Sequence, residues 1–185
     1  MGAMNSDGVQ IFSAILALAT LLGGLGTLLA VITEGKTELF SGWLQNVRES
    51  GIWLMCAITT GAMVGSLYFS ESVGFAPCKL CWYQRIAMYS IAIITFVAAI
   101  RRDKQIARYS IVLAALGLIV STYHYLLEWF PTLESNVCSL DIPCTSVWFR
   151  EFGFVTLCFM AGSAFIAVIS ISLALIREPE QTQEA

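Results

Sequence analysis

Residues 77–100 read PCKLCWYQRIAMYSIAIITFVAAI, and the transition inside that stretch decides what kind of molecule this is. Two cysteines, a lysine and an arginine open it. From Trp82 to Ile100 the run is then almost wholly apolar, and about 20 such residues are what a helix needs to cross the hydrocarbon core of a bilayer. Four further runs of similar length and character lie near 9–32, 51–70, 109–129 and 153–176. Long continuous runs suit helices, whose backbone bonds close within the segment, rather than the strands of a barrel. Composition agrees: of 185 residues, 57% are hydrophobic and only 12% charged, far from the mixture of a water-soluble domain. A net charge of −3 without a long basic run offers nothing to follow a phosphate backbone, so membrane lipid is an expected partner and nucleic acid is not. The expected fold class is an all-α membrane protein.

The first apolar run has the position of a secretory signal but not its character. It is too long, Asp7 stands where basic residues belong, and no small-residue cleavage site follows, so it reads as a retained helix. Five spans put the two ends of the chain on opposite sides, and the basic residues choose between the two orientations. With Lys36, Arg48, Arg101, Arg102, Lys104, Arg108 and Arg177 cytoplasmic, only Lys79, Arg85 and Arg150 of the ten lie outside. That orientation puts the amino terminus outward and the carboxyl terminus inward. Between the first two spans, KTELFSGWLQNVRES carries Leu39, Phe40, Trp43, Leu44 and Val47 at helical spacing, which suggests a helix lying in the inner interface; a plain connecting elbow is the alternative. The tail REPEQTQEA is expected to fray.

Orientation sorts the six cysteines. Cys78, Cys81, Cys138 and Cys144 fall in or beside the two outer loops, whereas Cys56 and Cys158 lie inside spans and read as small hydrophobes. An oxidising outer face makes two disulfides plausible there, and four cysteines allow three complete pairings. Cys78 and Cys81 form C-x-x-C at the start of a helix, near the positive end of its dipole, where a thiolate is stabilised. Arg85 follows Cys81 by four residues, hence on the same helical face, and adds a fixed positive charge. Disulfide exchange proceeds through the thiolate, so these features suit redox chemistry. A structural disulfide or half a metal site accounts equally well for C-x-x-C alone, and Arg85 lies near enough to the interface to snorkel.

The lone histidine, His124, sits in STYHYLLEWFP at about the depth of Arg85. A packing histidine is the bland account; jointly, the two offer donors to a polar head whose tail lies in lipid, which is the shape of a quinone. NVCSLDIPC places Cys138 and Cys144 in a short segment, where a disulfide is open to exchange with another protein's thiols. A static staple is the alternative, although so small a loop constrains the unfolded chain little. Two readings from other classes remain: four outer cysteines as a thiolate zinc site, and a structural membrane protein with two stapled loops and Gly61-x-x-x-Gly65 as a helix-packing motif.

PCKLCWYQR, RRDK, YHYLLEWFP and CSLDIPC, in this order, resemble the DsbB family of membrane disulfide-forming thiol:quinone oxidoreductases, and most closely its short-loop, BdbC-like branch. The resemblance covers roughly 51–176. It implies a four-transmembrane-helix bundle core over 51–176; the additional amino-terminal transmembrane helix and interfacial segment over 1–50 and the cytoplasmic tail over 177–185, read from hydropathy and charge, lie outside it. It further implies that Cys78 and Cys81 are the quinone-proximal pair, with Cys81 facing the ring, and that Arg85 and His124 bind the quinone, ubiquinone or menaquinone. Cys138 and Cys144 would exchange with a soluble thioredoxin-fold, DsbA-like dithiol protein, Cys138 forming the mixed disulfide. A vitamin-K-epoxide-reductase-like protein also joins C-x-x-C to a quinone, but with its cysteine pairs in the reverse order.

Overall fold

A computed structural model describes residues 3–33, 38–134, 138 and 142–177. Lys36, the tail beyond Arg177 and the residues flanking Cys138 on both sides, with the readings made of them, lie outside that set. Among the described residues the five apolar runs are five helices: α1 Ala3–Ile32, α2 Glu38–Leu67, α3 Lys79–Arg101, α4 Ala107–Trp129 and α5 Leu157–Ile176. Each is long and apolar enough to cross a membrane. The chain is an all-α membrane protein.

Its surface inverts the usual soluble pattern. Large apolar side chains such as Leu22, Ile86 and Ile119 point outward, while Thr59, Thr95, Ser110, Ser163, Ser170 and Ser172 are buried. In lipid an outward leucine costs nothing, so helices associate through close packing and small hydroxyl residues. Thr59 and Thr95 join α2 to α3 at 3.2 Å, and Ser121 Oγ donates to the Cys158 carbonyl at 2.7 Å, joining α4 to α5.

α5 occupies the middle, packed against α1, α2 and α4, with α3 bridging α2 and α4. Glycines set how closely its neighbours come. A Cβ at Gly117 would collide with the ring of Phe165, a fully buried side chain, and one at Gly24 would stand 2.9 Å from the Ala167 backbone. At the far end of α5, Arg48 donates through Nε to the Ala174 carbonyl and through Nη2 to that of Arg177. A cation there complements the negative end of the helix dipole.

One expectation is redrawn. The stripe from Leu39 to Val47 does not form a separate interfacial helix but opens α2, which runs without a break through Gly51. Gly51 reads as a boundary in sequence, yet it is buried and a Cβ there would meet Ile171 at 3.0 Å, so it serves helix contact instead of helix termination. RRDK does make a turn: Arg102 takes the left-handed conformation at φ 55°, and the Asp103 carboxylate accepts from Gln105 N–H at 2.9 Å.

Candidate active site

Cys78 is the residue that starts α3. Its backbone is extended, and its sulfur accepts the Cys81 N–H at 3.3 Å, one of the donors that a helix start leaves unpaired. The first helical turn then carries Cys81 round to meet it, with the two sulfurs 2.8 Å apart as free thiols. Cys138 and Cys144, in contrast, are joined as a disulfide with Cα atoms 5.9 Å apart. Cys144 is fully buried, whereas Cys138 is partly exposed.

His124, buried on α4, stands between the two pairs. Its Nε2 lies 3.5 Å from Cys78 Sγ and 3.1 Å from the Cys144 carbonyl oxygen; its Nδ1 lies 2.9 Å from Gln84 Nε2. With the amide so placed, Gln84 donates to Nδ1, which leaves the ring proton on Nε2, directed at the carbonyl and the sulfur. These contacts show in the reduced pair. The Cys78 thiol is brought well below its ordinary value, to about 4, first by the hydrogen bond from the Cys81 thiol and next by His124, against a desolvation effect that opposes it. These contacts favour the thiolate form of Cys78.

Arg85, on the same helix as Cys81, is held by α2. Its guanidinium donates from Nε to Ser66 Oγ and from Nη2 to the Ser66 carbonyl, both at 3.0 Å, and lies 5.4 Å from the Trp82 ring centroid. Its hydrogen bonds run to Ser66 rather than to His124. A cavity of about 400 Å³ lies on Arg85's side of the cysteine pair, lined by Cys81, Gln84 and Arg85 at one end and by α1, α2 and α5 along its length. On the other side is a space of about 20 Å³, lined by Cys78, Cys81, His124, Glu128 and Cys158. Cys81 faces both; Arg85 borders the larger and His124 the smaller.

Sequence reasoning missed several members of the site. Gln84 carries the one signal that could have found it, being an amide within an apolar span, three residues past Cys81. Ser66 carries none. Cys158, read as a small hydrophobe, borders both spaces, and its sulfur lies within 4.8 Å of ligand atoms of His124 and Glu128. Cys56 stays in the helix core as expected. Among the described residues Gly61 and Gly65 pack against no helix: a Cβ at either would meet nothing within 4 Å, and both border the large cavity. As for metal, Cys78, Cys81 and His124 offer three donors within 4.8 Å of one another, but the Cys138–Cys144 bond occupies the other two sulfurs of a four-thiolate set.

Paired thiols at a helix start, a second pair in a loop folded over them and a bundle of apolar helices define a membrane thiol–disulfide protein. Residues 48–176 match the family model described as disulfide bond formation protein DsbB. Among curated relatives, the chain is 43% identical over 129 residues to the probable disulfide formation protein C of Halalkalibacterium halodurans, covering 69% of this chain and 92% of that one. It is 40% identical over 129 residues to the probable disulfide formation protein of Oceanobacillus iheyensis, covering 69% and 87%. With the disulfide bond formation protein C of Bacillus subtilis it shares 40% identity over 118 residues, 63% of this chain and 83% of that one. No solved structure matches the chain. The chain belongs to the DsbB family of disulfide bond formation proteins, and its chemistry is that of an oxidoreductase. The match begins at residue 48, so α1 lies outside it.

Proposed function

We propose that the protein re-oxidises a soluble DsbA-like, thioredoxin-fold dithiol protein by disulfide exchange and passes the electrons to a membrane quinone. The observation that carries this reading is the division of the site. Cys138 is partly exposed, Cys144 turns inward to His124, Cys78 Sγ lies 3.5 Å from the His124 Nε2, and Cys81 borders a cavity of about 400 Å³. That volume falls within the roughly 300–1,000 Å³ that encloses a small organic ligand. Its lining, an arginine and a thiol at one end and apolar walls beyond, suits a polar ring with an apolar chain. The open space beside Gly61 and Gly65 gives such a chain room.

Exchange follows from accessibility. The partner's thiolate attacks Cys138, the sulfur it can reach, and the electron pair of the broken bond leaves on Cys144. Cys144 then attacks the oxidised Cys78–Cys81 disulfide, bonding to one of its sulfurs while the electron pair leaves on the other, with the Nε2–H of His124 at hand to stabilise negative charge on Cys78. The partner's second thiolate breaks the partner–Cys138 bond, releasing the oxidised partner, and the freed Cys138 thiolate attacks Cys144, re-forming Cys138–Cys144 and releasing the inner sulfur. Cys78 and Cys81 are left as the dithiol, and closing their disulfide again surrenders two electrons on the cavity side of Cys81. A bound quinone supplies the oxidising power for that closure. Arg85, anchored by Ser66, is the residue assigned to hold it; His124 is assigned to the thiol side.

The distribution of basic residues supports an orientation with the active cysteines on the extracytoplasmic face of a bacterial-type plasma membrane and the carboxyl terminus cytoplasmic. Anaerobic mixing of the purified protein with a reduced thioredoxin-fold donor and a quinone tests the electron path. Equal yields of quinol and donor disulfide are expected; donor oxidation without quinol sinks the proposal. Labelling of Cys138 by a membrane-impermeant maleimide, after reduction in intact cells, checks the sidedness.

A further inference from the structure

We propose that α1 forms a wall of the quinone site and that the Tyr89 hydroxyl is the donor that fixes a ring oxygen within it. This rests on the reading that the large cavity takes a quinone, and it concerns two features that reading does not use.

α1 presents Ser13, Leu16, Ala17 and Thr20 to the cavity. Their spacing, i, i+3, i+4 and i+7, is one face of a helix. Across from them are Gly61 and Gly65 of α2, where side-chain space is open. Toward the other end the two helices are tied together, Trp43 Nε1 donating to Thr27 Oγ1 at 3.1 Å. The cavity therefore lies in the gap between α1 and α2 away from that tie, and α1 is needed to enclose it. Small residues on both walls leave a slot suited to an apolar chain.

Tyr89 stands on α3 four residues past Arg85, so the two share a face, and both border the cavity. Its hydroxyl is buried without a hydrogen-bond partner among the described residues. A buried donor left unpaired is destabilising, and phenylalanine would fill the same volume without that penalty. Neighbouring polar side chains are already engaged: Ser66 with Arg85, and Gln84 with His124. The tyrosine oxygen is best accounted for by an acceptor that arrives with the ligand. A carbonyl oxygen of a quinone ring lying between Cys81 and Tyr89 is such an acceptor.

The test is direct binding of a decyl-substituted benzoquinone to the full chain in lipid nanodiscs, read by quenching of tryptophan fluorescence, since Trp148 borders the cavity, and by ligand-induced rise in melting temperature. Tyr89→Phe is expected to weaken binding about fivefold, while the ligand-free protein melts no lower than the parent. Ala17→Phe, which projects a ring from α1 into the slot, is expected to weaken it about tenfold. Leu22→Phe, on the outward face of the same helix, is expected to bind as the parent does. Gly61→Val enters the same space from α2 and serves if Ala17→Phe does not fold. Parental affinity in both Tyr89→Phe and the slot-filling variant overturns the inference. So does equal weakening by Leu22→Phe. Absence of binding to the parent chain defeats the quinone reading itself, and this one with it.

Discussion

The two cysteine pairs sit within one end of the bundle yet are built on opposite terms. Cys78 and Cys81 are fixed by regular structure: one caps α3, the other lies in its first turn, and histidine, glutamine and backbone N–H groups surround them. Cys138 and Cys144 belong to the connection between α4 and α5 and are held chiefly by each other. The inner pair is an electrostatic device, in which fixed donors choose the sulfur that bears charge. The outer pair is a steric one, in which exposure chooses the sulfur that is attacked. The difference teaches that reactivity within one relay can be set by two independent means, and mutation should separate them.

The largest effects should come from the sulfurs themselves. Cys78→Ser or Cys81→Ser is expected to reduce donor-dependent quinol formation to background, whereas Cys138→Ser blocks donor oxidation yet leaves the inner pair able to close when quinone is added. Stopped-flow quinone absorbance, with and without donor, distinguishes these cases. Full turnover in Cys78→Ser would break the comparison outright.

Next is the charge on Cys78. Its thiol is brought well below its ordinary value, so in the reduced protein the thiolate is favoured on the higher-pH side and is lost as pH falls. Because the shift is downward, the stabilisation belongs to the higher-pH side, and it favours the reduced state, making the pair more oxidising. His124→Ala should therefore raise the pH midpoint, read by thiolate ultraviolet absorbance, and make the pair less oxidising in a redox titration. Gln84→Ala should do the same by a smaller amount, since it acts through the imidazole. No change in either property would show that the Cys81 thiol alone suffices.

Arg85→Ala tests the cavity side of the inner pair. An increase of about tenfold in the quinone concentration needed for half-maximal rate is expected, with exchange at the outer pair intact. An unchanged quinone dependence would reduce Arg85 to an anchor for Ser66. The smallest effects concern packing around the pairs. Gly117→Ala should lower stability by about 1–3 kcal/mol, because Phe165 leaves no room for a methyl group. Gly65→Ala, which meets nothing, should be close to neutral in the same melting assay.

That last contrast marks where sequence was legible. The five spans follow from apolar run length, which membrane solvation dictates, and α3 to α5 begin and end near the expected residues. Arg85 and His124 stood out because polar groups are rare in spans. Their partners were less visible. Ser66 resembles any small interface residue, and the distribution of Arg85 and His124 to opposite sides of the sulfurs depends on helix rotation, which depth counted in residues does not fix. Gly61-x-x-x-Gly65 misled for a related reason. Small residues permit close approach, but whether a neighbouring helix or a hollow fills the room is decided by the placement of α1. The continuity of α2 through Gly51 is the same lesson at a helix boundary.

His124 hydrogen-bonds the main-chain oxygen of Cys144 rather than its sulfur. A peptide carbonyl keeps its charge whether the neighbouring sulfur is bonded, free or joined to another protein. The imidazole is thereby referenced to a part of the loop that has no redox memory, so one orientation of the ring can serve every stage of the cycle.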